Sequence, residues 1–199
     1  MTFHLITIIG ISLIFASCGE KYQLVEERNV SGYYLKSYYL DEDSLRQGKY
    51  TSYYDKDQIF EQSNYRNDLL DGKRFIYFEN GQIEIEENYI GGILHDSFFV
   101  YHSNGNLELK GHYVNGSLEG QVMKYYSSGF IEEEVTYENN TENGPFTEYY
   151  ENGMKKWEGT YLNGDNEFGE LLKYSEEGIL VRKLMCDSLA VCRTTWTQE

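Results

Sequence analysis

The 199-residue sequence predicts an all-β protein, an elongated single-sheet antiparallel meander of hairpin repeats. Two columns of tyrosine carry most of that reading. Tyr53, Tyr77, Tyr101, Tyr125 and Tyr149 stand 24 residues apart, and Tyr65, Tyr89, Tyr113, Tyr137 and Tyr161 keep the same step. A fixed period of this size marks one small supersecondary unit stacked many times. The third observation is the punctuation. Asn-Gly and related pairs recur twice per period, and the six to eight residues between them are rich in Tyr, Phe, Ile and Val. Such runs bounded by turn pairs read as strands. Pro occurs once, at Pro145, and there are 20 Tyr. Both suit strands, since Pro removes a ladder donor and Tyr fits a half-buried pleat.

Each repeat opens on Gly48, Gly72, Asp96, Gly120, Gly144 or Gly169, numbered here as position zero. The array is expected over residues 48–186, about six repeats of 24 residues. Positions eight and nine read Asn80-Gly81, Asn104-Gly105 and Asn152-Gly153, and positions nineteen and twenty Gly91-Gly92, Asn115-Gly116 and Asn163-Gly164. Each repeat is therefore a hairpin, and a second turn leads into the next. The second strand alternates. Ile83, Ile85 and Tyr89 oppose Glu84, Glu86 and Asn88, which predicts one packed face and one wet face. Two registers stay open. A two-residue first turn sets position five opposite twelve and turns the tyrosine to the wet side. A three-residue loop pairs five with eleven and buries it against Ile or Leu. A slip of one residue exchanges the faces. Six repeats of two strands span about 55 Å at ~4.8 Å per strand.

Residues 19–47 are expected to cap the start, with Gly32 to Leu40 as a degenerate strand or half-repeat, and residues 187–199 the far end. Before them, Leu5 to Phe15 is a mostly apolar run of about 11 residues. That is shorter than the roughly 20 residues a spanning helix needs and has the length of a secretory h-region. The following Phe15-Ala16-Ser17-Cys18 resembles a bacterial lipobox. The resemblance implies a leader over 1–17, cleavage before Cys18, and a lipid anchor on Cys18 with a tether over 18–47. Phe15 in place of Leu and an n-region without Lys or Arg depart from that pattern. Cys186 and Cys192 remain as candidates for a disulfide, the alternative being two free thiols.

The net charge of −16 disfavours nucleic acid and anionic membranes as partners of the body. His95, His102 and His112 lack the spacing of a shared metal site, and the acidic turns at Asp41, Asp55 and Asp165 lack a full calcium loop. Glu84, Glu108 and Glu132 recur as a ladder, unlike the unique pair of a glycosidase. No nucleophile elbow or phosphate-binding glycine loop occurs. No enzyme, cofactor or metal site is expected.

The pattern in Tyr149-Tyr150-Glu151-Asn152-Gly153 and Tyr161-Leu162-Asn163-Gly164 resembles the bacterial variant of the MORN repeat, over roughly residues 48–184. The resemblance implies a non-catalytic scaffold or protein-interaction module, here tethered by Cys18 in the cell envelope and facing outside the cytoplasm, with an unknown protein partner. Some relatives are labelled YwqK-type antitoxins, which implies neutralisation of a partner protein as the alternative. The repeated tyrosines would supply either the sheet's own packing or a binding face.

Overall fold

The computed structural model describes residues 7–8 and 22–198. Eighteen strands lie between Gln23 and Thr197, in antiparallel hairpins that follow one another as a meander. The chain divides into two halves, residues 1–95 and 96–199. Most of the expected leader and Cys18 lie outside the described residues. Thr7–Ile8 pairs antiparallel with Glu27 and Arg28.

The first turn of each repeat settles the register. Position five pairs with position eleven in all six, as in Tyr77↔Ile83 and Tyr125↔Ile131. Position four pairs with thirteen, as in Ile76↔Ile85, so position twelve is an extra residue and forms a β-bulge. The loop closes with Phe78 N–H donating to the Gln82 carbonyl at 2.9 Å and Gly81 N–H to the Phe78 carbonyl at 2.8 Å. Only Gly81 of the Asn80-Gly81 pair has positive φ, 83°. This is a three-residue loop ending in a left-handed residue. The first repeat lacks the glycine and differs locally, since Lys56 and Asp57 are both left-handed.

The second turn is of another type. Asn67-Asp68, Gly91-Gly92, Asn115-Gly116, Asn139-Asn140 and Asn163-Gly164 all have positive φ at both residues. Where a full ladder flanks them, as in Tyr89↔Leu94 and Ile90↔Ile93, they are two-residue primed turns. Asn-Gly thus serves two turn geometries within one repeat.

The bulge corrects the expected face pattern. Position eleven was grouped with thirteen and seventeen by simple alternation. One extra residue at twelve transfers eleven to the opposite face, beside five. Positions two, four, fifteen and seventeen share one face, called the core face here. Positions three, five, eleven and fourteen share the other.

Most buried residues lie on the core face. Among the described residues of the first half the buried apolar residue is Ile76. In the second they are Phe98, Val122, Val135, Phe146, Leu171 and Cys186. Cross-strand volumes are matched at the pair of positions two and fifteen: Phe98 faces Gly111, Val122 faces Val135, and Phe146 faces Gly159. Repeat two holds an ionic version, with Arg74 2.9 Å from both Glu61 and Glu87.

The strand or half-repeat expected over Gly32 to Leu40 is the strand Tyr34–Leu40, which forms a complete hairpin with Gln23–Arg28. Asn29 N–H donates to the Tyr33 carbonyl and Gly32 N–H to the Asn29 carbonyl, both at 2.9 Å. Arg28 pairs with Tyr34 and Glu27 with Lys36, reproducing the bulge. At the other end Cys192–Thr197 pairs with Leu180–Cys186, and a disulfide joins Cys186 to Cys192.

Candidate interaction faces

The tyrosine columns lie on opposite faces of the sheet. Position seventeen is on the core face. Tyr113 packs on Phe98 with ring centroids 5.1 Å apart, and Tyr161 stacks on Phe146 at 4.1 Å. In the first half Tyr65 meets Tyr50 edge-on at 5.6 Å, and the Arg46 guanidinium lies 3.9 Å above its ring. The Tyr89 and Tyr137 hydroxyls are tied to carboxylates. Tyr89 donates to Glu87 at 2.9 Å and Tyr137 to Glu142 at 2.8 Å. Burial, then that acidic hydrogen bond, raises both phenols to about 12. Burial raises Tyr161 further.

Position five occupies the other face. Tyr77 lies near Phe75, centroids 6.4 Å apart, and donates to Gln62 at 3.0 Å. Tyr101 lies near Phe99 at 6.5 Å, and the Lys110 ammonium sits 5.7 Å from the Tyr125 ring. Tyr174 donates to Glu158. Tyr53 stacks on Tyr34 at 5.5 Å. Tyr149 has a phenol raised chiefly by burial, with Glu134 nearby. All these rings are half-buried.

Position six is the set that sequence reasoning missed. The Tyr54 hydroxyl donates to the Tyr77 carbonyl at 2.8 Å, Tyr126 to Tyr149 at 2.8 Å, and Tyr150 to Tyr174 at 2.9 Å. His102 Nε2 is 2.9 Å from the Tyr125 carbonyl, which can only accept, so Nε2 carries the proton. Each side chain thus binds the backbone of the following repeat. Position eight adds a second rung: Asn104 donates to the Ser127 carbonyl and Asn152 to the Glu176 carbonyl. At the opposite ends of the strands, Gly92 N–H donates to the Leu70 carbonyl and Asn140 N–H to the Leu118 carbonyl. A 24-residue step runs through position six as well, in Tyr54, His102, Tyr126 and Tyr150.

The acidic ladder residues Glu84, Glu108 and Glu132 are half-buried. Glu108 lies 3.4 Å from His102 Nδ1, and Glu132 accepts from Lys124 at 3.0 Å. Glu132 and Glu133 help line a cleft of 230 Å³ with Glu148, Lys156, Tyr126 and Tyr149. Burial, then Glu148 and Glu142, raises the Glu133 carboxyl above its ordinary value. Among the described residues no group of three His, Cys, Asp or Glu is placed to hold a metal.

The MORN repeat variant model matches residues 46–67, 70–90, 97–115, 118–139 and 142–163, just over half the chain. The chain belongs to the MORN repeat variant family. The five MORN matches coincide with the hairpins opening at Gly48, Gly72, Asp96, Gly120 and Gly144. The hairpins at 23–40 and 169–186 share the loop and bulge but fall outside the matched stretches. No curated protein matches the chain. MORN repeats are generally protein- or membrane-interaction modules.

Proposed function

We propose that this MORN protein is a non-catalytic interaction or scaffold module of the cell envelope, tethered through a lipid on Cys18 and binding a protein partner. One observation carries the interaction reading. Among the described residues the buried apolar ones all lie on the core face, which leaves the position-five aromatic column on a half-exposed face. Tyrosine offers large amphipathic contact area at modest entropic cost, which suits a binding surface. The inter-repeat hydrogen bonds hold that surface in a fixed lattice.

The tether rests on the lipobox-like Phe15-Ala16-Ser17-Cys18. Stable anchoring requires more than one acyl chain, as a lipidated N-terminal Cys would provide. Radiolabelled palmitate should enter the native chain and not Cys18→Ala; equal labelling removes the tether. Affinity capture from native membranes should recover a protein whose retention falls when Tyr125 and Tyr149 are changed to Ala. Undiminished capture would move the partner site to another surface. A captured protein that arrests growth when expressed alone would turn the reading towards immunity.

A further inference from the structure

We propose that the position-five face of residues 96–199 is a carbohydrate platform for an extended β-1,4-linked glycan laid across the strands. It goes beyond the protein-partner reading, and either can fail without the other.

Spacing comes first. Successive rings of the column Tyr101, Tyr125, Tyr149 and Tyr174 are two strands apart, about 9.6 Å at ~4.8 Å per strand. That interval matches the length of one disaccharide in an extended β-1,4 chain, whose same face recurs at every second sugar. A regular lattice of platforms fits a regular polymer. A peptide strand, by contrast, pairs along a sheet edge through its backbone and has no such period across the face.

Chemistry alternates along the same line. The position-fourteen side chain stands beside the ring of the following repeat: Lys110 beside Tyr125, Glu134 beside Tyr149, Glu158 beside Tyr174. Each period therefore offers an aromatic ring and then a charged donor or acceptor. A pyranose ring presents an apolar C–H face with hydroxyls around its rim, so one disaccharide meets one ring and one polar group.

Charge decides against the polyelectrolytes. The chain carries −16, yet at positions one, three, five, eleven, fourteen and sixteen of these four repeats Lys110, Lys155 and Lys183 equal Glu134, Glu158 and Glu170 in number. Lys155 pairs with Glu158, and Lys183 lies 4.0 Å from Glu170. A self-neutralised face suits a neutral ligand rich in hydroxyls.

The test is calorimetry on the full chain with N-acetylglucosamine and glucose oligomers linked β-1,4, from disaccharide to hexasaccharide. Each further disaccharide reaches another platform, so affinity should climb by about tenfold or more over the series. Maltohexaose, of equal size but coiled by its α-1,4 linkage, should bind at least about tenfold more weakly. Tyr125→Ala and Tyr149→Ala should each weaken hexasaccharide binding by about tenfold, whereas Tyr125→Phe, which keeps the ring, and Tyr137→Ala, on the core face, should not. Absence of binding by every β-1,4 oligomer, an affinity independent of length, or equal binding of maltohexaose overturns the proposal. So does full affinity in a folded Tyr125→Ala or Tyr149→Ala chain. Should the alanine variants fail to fold, the length series and the maltohexaose comparison decide on the native chain alone.

Discussion

Phe98 and Gly111 face each other across one hairpin, and the fit is steric. A Cβ at Gly111 would stand 2.6 Å from Phe98 Cε1 and 3.1 Å from Val122 Cγ2. Gly159 has the same relation to Phe146, at 2.9 Å. Gly81 is glycine for a different reason: its φ is 83° and nothing lies within 4 Å of its Cβ direction. The two kinds of glycine should respond differently. Gly111→Ala should destabilise by about 1–3 kcal/mol through overpacking, and Phe98→Leu added to it should restore part of the loss. Gly81→Ala should cost about 1 kcal/mol of backbone strain, with no rescue from neighbouring side chains. Urea midpoints of the variants separate these outcomes. Titration gives a second check at this scale. The unfolded phenol ionises near 10, while Tyr89, Tyr137 and Tyr174 are held to about 12 in the fold. Their stabilising share is intact below pH 10 and is lost as pH rises through about 12. Absorbance at the phenolate band should therefore show a late group of tyrosines that moves to ordinary values in urea. Glu133 follows the same rule in the acid range. Its raised carboxyl favours the fold below the unfolded carboxylate value and loses that share as pH rises through its folded value. Glu133→Gln should accordingly raise the melting temperature at neutral pH. Both tyrosine columns were legible in the sequence because a fixed residue type announces itself. Position six was not, because Tyr54, Phe78, His102, Tyr126, Tyr150 and Ser175 share a place without sharing a chemistry.

Within the hairpin, the decisive feature is a residue skipped in the cross-strand register. Position twelve holds Phe60, Glu84, Glu108, Glu132, Lys156 and Val181, which have no property in common. The bulge there comes from the loop: a left-handed residue at position nine, glycine in all repeats but the first, ends the turn, and the odd residue must be absorbed in the ladder. Asn-Gly alone could not reveal it, since the same dipeptide makes a two-residue turn at positions nineteen and twenty. The side-chain rungs then join one hairpin to the next. Tyr126→Phe removes a hydroxyl from the Tyr149 carbonyl and nothing else, so it should cost about 0.5–1.5 kcal/mol. Amide exchange in residues 144–161 should quicken with it, while residues 23–66 are unaffected.

At the level of the whole molecule, the hairpin at 23–40 shows what periodicity can hide. It has the loop and the bulge, but Arg28 and Leu40 stand where the tyrosines would be. Its exit loop runs through Asp41, whose Oδ1 accepts from Asp43 and Leu45 N–H at 3.0 and 2.9 Å. Asp187 does the same for Leu189 and Val191 at 3.0 and 3.1 Å. The outermost connections thus share one aspartate-centred turn that the inner ones lack, and no tyrosine spacing could point to it. Next to Asp187 the disulfide fastens Cys192–Thr197 to the preceding strand. Changing Cys186 and Cys192 to Ser together should lower stability by about 2 kcal/mol, the entropy of closing a short loop, and should expose Trp196 further to quenchers. The charge of −16 predicts a stability that rises with salt until the screening length falls to about 8 Å, measurable as an increase in melting temperature.

The rungs at position six have one further consequence. Each reaches only the adjoining hairpin, through a backbone carbonyl that every hairpin possesses. Cutting out residues 120–143 in frame would place Gly144 where Gly120 stood and set His102 against the carbonyl of Tyr149. The shortened gene should still yield a folded product, one register shorter along the array. Unequal crossing-over can therefore lengthen or trim such a protein without any compensating substitution.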